Sequence, residues 1–140
     1  MDNGNGTGIG LAASLIMLVL IALLFVGSIL VARSFERHRK SVSAQNTKPF
    51  TWGYFFAISH MAVGIVLGLV LMFGMIVPPR TVTFESGVLP LLLMWSWVAI
   101  GYFTVKEKRW AWITLTLLSA NVILWIINFT YGGRRESQYK

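Results

Sequence analysis

The sequence contains no cysteine, which excludes disulfides, thiolate metal sites and thiol-based membrane redox chemistry. Charge is scarce: Asp, Glu, Lys and Arg make up 12% of the 140 residues, against about a quarter in ordinary soluble domains. Only five side chains are acidic, and none lies in a long apolar run: Asp2, Glu36, Glu85, Glu107 and Glu136 all fall in connections or tails. This counts against a small four-helix drug/proton antiporter, which depends on a carboxylate inside the membrane. Histidine occurs twice, at His38 and His60. There is no HExxH, no His and carboxylate pairing for a di-metal site, no phosphate-cradling Gly-rich loop and no GxSxG. Intramembrane hydrolysis and metal-dependent oxidation therefore lack their residues, and a non-enzyme is expected.

What the chain has in excess is apolar surface, 56% of its residues, gathered into four runs at 9–32, 52–77, 88–105 and 110–131. Each is close to the roughly 20 residues that an α-helix needs to cross the hydrocarbon of a bilayer. None carries the charged stripe of a helix facing water, and in lipid only a helix or a closed barrel satisfies every backbone N–H and C=O. The expectation is an all-α integral membrane protein, one membrane domain over 1–140, with four transmembrane helices paired as two antiparallel hairpins. The flank of the first helix, MDNGNGTG, carries no positive charge, and its apolar stretch exceeds a signal h-region, so it reads as a retained anchor.

The net charge of +7 is topological rather than a sign of nucleic-acid binding. Lys and Arg number none before the first run, five after it, one in the next connection (Arg80), three in the next and three in the tail. With four spans, the positive-inside bias puts the basic loop 33–49 in the cytoplasm and both termini on the outer face, although the basic tail runs against this. Arg33, Arg37, Arg39 and Lys40 then dock on anionic lipid or a partner, at about 1 kcal/mol per basic side chain. Glu36 and Lys40, four apart, extend the first helix about two turns. Trp52, Trp110 and Trp112 fall at the cytoplasmic boundary and Tyr131 at the outer one. Between the prolines 78–79 and the third run, TVTF reads as a short extended piece, with Pro90 in the first turn of the third helix.

At 100° per residue, Gly53, Ala57, His60, Gly64 and Gly68 share one face of the second helix, and Gly64 and Gly68 form a GxxxG. The face is a shallow groove that admits another helix or a flat ring. His60 lies about 12 Å along the helix from Trp52, inside the hydrocarbon. Three readings stand for it: a neutral imidazole bonding across helices to Ser96, Thr104, Asn121 or a partner; an axial ligand to a haem or chlorophyll-type macrocycle, with Gly64 and Gly68 as clearance; or a proton relay or quinone contact. The fourth run has Thr114, Asn121 and Asn128 at seven-residue spacing, an expected packing stripe in which interhelical hydrogen bonds contribute about 0.6–2 kcal/mol each.

Grooved helices without a self-sufficient catalytic set point to a small accessory subunit of a larger membrane complex in the bacterial cytoplasmic membrane, a respiratory or photosynthetic assembly by preference. Its partners are other integral membrane subunits and anionic lipids, with no nucleic acid. The alternatives are a membrane anchor whose His60 contacts haem, chlorophyll or quinone, and a small oligomeric transporter.

Overall fold

In a computed structural model the chain is helical throughout its ordered elements: α1 (Gly4–Val42), α2 (Thr51–Ile76), α3 (Phe84–Val105), α4 (Arg109–Leu118) and α5 (Val122–Gly133). The structure describes residues 4–42, 48–78 and 82–135, with side chains from Ser14 onward. Ser14–Val42 of α1, α2 and α3 are long and apolar enough to cross a membrane. The protein is thus a helical membrane protein with three such helices among the described residues rather than four.

α1 runs on past its apolar stretch because nothing in 33–42 breaks a helix, but Glu36 does not support it by pairing with Lys40. Its carboxylate accepts the backbone N–H of Phe50 at 2.8 Å and lies 3.9 Å from Arg39. α2 starts just after Pro49 and stops before Pro78, where Val77 N–H closes the last turn on Phe73 O at 2.9 Å. A continuing helix would need the amide that proline lacks.

α3 starts at Phe84, four residues before its apolar run. Thr83 caps it, accepting from Ser86 N–H at 3.3 Å, and Glu85 in the first turn suits the positive end of the helix dipole. The cap accounts for two departures from the sequence reading. Phe84 is helical rather than extended, while Thr81 lies outside the described residues, and Pro90 sits in the second turn. α2 and α3 pack closely through small residues: a Cβ on Gly64 would lie 2.6 Å from Met94 O, and one on Gly101 would meet Met61 and, at 3.2 Å, Ala57 O. The groove on α2 is filled by α3 of the same chain. Since the backbone of α3 cannot yield as a flexible side chain can, Gly64→Ala should cost about 1–3 kcal/mol. Gly27→Ala, with nothing within 4 Å of its new methyl, should cost nothing; detergent unfolding followed by circular dichroism compares the two.

The fourth apolar run is two helices. Ala120 adopts the left-handed conformation (φ 48°), and Asn121 caps α5 by accepting from Ile123 N–H at 3.0 Å and Leu124 N–H at 3.1 Å. α4 and α5, of 10 and 12 residues, rise about 15 and 18 Å, each well short of the roughly 30 Å hydrocarbon thickness. α5 then doubles back. Leu124 lies beside His60 and Val63 deep along α2, Asn128 bonds Trp52, and Tyr131 reaches the carbonyl of Pro49 at 3.1 Å. The rings of Trp112, Phe50 and Tyr131 meet at 5.8–6.1 Å.

Tyr131 therefore sits at the same end as Trp112, not at the opposite boundary as a continuous span requires. Arg135 lies beside Pro49, its Nε donating to the Pro49 carbonyl at 2.9 Å. The end shared by Phe50, the α3–α4 turn and Arg135 is called the basic end below.

Candidate functional site

Three places carry the polar chemistry, and all depend on the α4–α5 hairpin or on what it packs against. At the basic end, Arg39 Nε contacts Glu107 at 2.8 Å, and Tyr54 OH donates to the same carboxylate oxygen at 2.8 Å. Glu107 holds this position through a left-handed backbone (φ 58°) in the tight turn between α3 and α4. Arg39 also donates to Lys48 O at 3.0 Å and lies 5.9 Å from the Phe50 ring centroid. The cluster ties α1 to α2 and to the α3–α4 turn. Arg39 is thus turned inward, whereas Arg33, Arg37 and Lys40 are exposed on α1. The sequence carried one signal for the cluster, the carboxylates Glu36 and Glu107 set among Arg and Lys residues, but no spacing could pair residues 39 and 107.

The second place is the hairpin tip. Among the described residues, the carbonyls of Leu118, Ser119 and Ala120 and the amide of Asn121 have no hydrogen-bond partner, and Ala120, Asn121 and Val122 are exposed. This irregular backbone lies about 15 Å of helical rise from Arg109, a distance equal to about half the hydrocarbon thickness of a bilayer. The expected stripe of Thr114, Asn121 and Asn128 is dispersed by the break between α4 and α5. Thr114 donates to its own Trp110 O at 2.8 Å, Asn121 is a cap, and Asn128 alone packs between elements, fully buried and accepting Trp52 Nε1–H at 2.8 Å. A capping asparagine before an apolar run was the available signal, masked by the length of the apolar stretch.

The third place is a cavity of about 320 Å³ between α1, α2, α3 and the start of α5, into which His60 faces beside Ser59, Trp97 and Leu124. His60 Nδ1 donates to Phe56 O of its own helix at 2.8 Å, so Ser96, Thr104 and Asn121 are not its partners. Its ring packs on Phe56 at 4.3 Å and against the edge of Trp97 at 5.3 Å. Gly64 and Gly68 do not open this space, because Met94, Trp95 and Val98 of α3 cover them, and Gly53 is closed by the Phe50 ring. Ala57 is fully buried. Its volume is about twice the roughly 150 Å³ that holds one benzene ring, and it is open on one side. No cluster of three or more His, Cys, Asp or Glu suited to a metal occurs among the described residues.

These features define a class, the helical membrane proteins with a hairpin of two short helices beside longer spanning ones. No protein-family model, curated protein or solved structure matches the chain.

Proposed function

We propose that this chain is a non-catalytic subunit of a larger integral-membrane assembly, crossing the bilayer three times and inserting α4–α5 as a re-entrant hairpin. The carrying observation is the tip, where backbone groups of residues 118–121 are unpaired among the described residues and Ala120, Asn121 and Val122 are exposed; in the proposed arrangement it sits at mid-bilayer depth. Lipid offers such groups no hydrogen bonds, and irregular backbone persists at that depth only when covered by protein or facing trapped water. A neighbouring subunit with a polar side chain at that level supplies the cover. The N-terminus is outside and the basic end cytoplasmic in this proposal, for a re-entrant hairpin leaves the five, three and three Lys and Arg of the two loops and the tail on one side, eleven of twelve, with only Arg80 opposite. The setting we propose, an energy-transducing assembly of the bacterial cytoplasmic membrane, draws on His60 and its aromatic cavity.

A photocrosslinker on Val122→Cys should give a discrete adduct with another protein in native membranes, and mild-detergent purification should bring that protein down at fixed stoichiometry. Adducts with lipid alone overturn the reading. The second reading, a small oligomeric transporter whose tip lines a water path, is favoured by the same unpaired groups. It requires Ile123→Cys to react with a water-soluble maleimide, which a protein cover prevents.

A further inference from the structure

The imidazole of His60 is set up as a hydrogen-bond acceptor inside the membrane. Phe56 O can only accept, so the proton of this contact belongs to Nδ1, and in the neutral ring Nε2 carries the lone pair. Nε2 has no partner among the described residues and is not sealed from the cavity that the ring lines. Ser59 has likewise given its proton to Phe56 O, at 3.0 Å, and offers only lone pairs. The cavity therefore presents acceptors to a guest, and the guest must bring the donor.

Its walls choose the rest of the guest. Trp52, Phe55, Phe56 and Trp97 surround the imidazole, and aromatic faces favour a flat ring at stacking or edge distance. Of the other polar atoms nearby, Trp52 Nε1 is already given to Asn128, and Trp97 Nε1, without a hydrogen-bond partner among the described residues, is buried out of contact with the open space. A volume of about 320 Å³ is at the small end of ligand pockets and takes one substituted ring or two fused ones. The depth, about 12 Å along α2 from Trp52, restricts entry to molecules dissolved in the bilayer.

We infer that this cavity binds the phenolic head of a membrane-soluble molecule, a quinol, through a hydrogen bond from its hydroxyl to His60 Nε2. The site distinguishes the reduced from the oxidised ring, because a quinone has no O–H to donate and would set its carbonyl lone pairs against that of Nε2. An unmet lone pair in an apolar site carries the full desolvation penalty. Binding is independent of whether a neighbour covers the hairpin tip.

The test uses the full chain, labelled with ¹⁵N-histidine, in phosphatidylcholine nanodiscs. Two histidines give two imidazoles, and His38, exposed at the basic end, is the internal control. A short-chain benzoquinol, kept reduced, should shift the His60 Nε2 resonance saturably and leave His38 unmoved. Its dimethyl ether and the corresponding benzoquinone should bind at least tenfold more weakly. Val63→Trp, which fills the cavity and leaves His60 in place, should abolish the shift while the helical circular-dichroism signal is retained. Absence of a saturable shift in the unaltered chain overturns the inference, as does equal binding of quinol and ether, or unchanged binding by folded Val63→Trp.

Discussion

Lys108→Cys and Gly133→Cys, each introduced into this cysteine-free chain, should be labelled by a membrane-impermeant maleimide from the same face of the membrane, and Glu85→Cys only from the other. The expected contrast is near-complete labelling against background. All three positions are exposed, and a side chain at Gly133 meets nothing within 4 Å, so labelling reads topology rather than access. The expectation rests on the return of α5, which brings Tyr131 and Arg135 to the carbonyl of Pro49, at 3.1 and 2.9 Å, and places Arg134 O within 3.1 Å of Lys48 Nζ. If residues 110–131 formed one span, Gly133→Cys would be labelled together with Glu85→Cys. With the proposed orientation, alkaline phosphatase fused after Lys140 stays inactive and a fluorescent protein fused there is bright.

Arg39→Ala should destabilise the protein by about 3–5 kcal/mol, read from detergent-induced unfolding by circular dichroism. Arg39 and Glu107 have side chains only 10% and 14% exposed, and Glu36 8%, so the substitution strands two carboxylates away from water. An exposed ion pair would be worth about 0–1 kcal/mol. Glu36 cannot turn to solvent without giving up the N–H of Phe50, and Glu107 is held by Tyr54 as well. Arg39→Lys should recover only part of the loss, because an ammonium cannot hold the guanidinium's several bonds at once. Adding Glu107→Gln to Arg39→Ala should also recover part, since it removes one of the stranded charges. A loss below about 1 kcal/mol for Arg39→Ala alone would show that this cluster is wet in the membrane-embedded protein.

The glycine face of α2 and the polar stripe of the fourth apolar run show how far a pattern reaches. Gly64 and Gly68 on one face announce close approach of a helix, and a helix does approach, yet nothing in the spacing says that it is α3. His60 falls on that same predicted face but opens toward the cavity with Leu124, because its partner lies one turn back in its own helix. The seven-residue spacing of Thr114, Asn121 and Asn128 is real in the sequence and meaningless across a break at Ala120. Propensity gave little warning there: alanine is the best helix former, and its left-handed conformation, which costs about 1–2 kcal/mol, is sustained only by what surrounds it.

From residue order alone came the helical class, the apolar segments suited to lipid, the ends of α2 and the clustering of positive charge, because each follows from local chemistry: transfer of apolar groups out of water, proline's missing amide, the placement of lysine and arginine. Whether the last apolar stretch passes through or turns back was decided by contacts between residues far apart, Trp52 with Asn128, Pro49 with Tyr131 and Arg39 with Glu107. Hydropathy sums over a window and is blind to a change of direction within it. The direction of α5, and with it the side of the membrane to which Arg134 and Arg135 return, belongs to the tertiary structure.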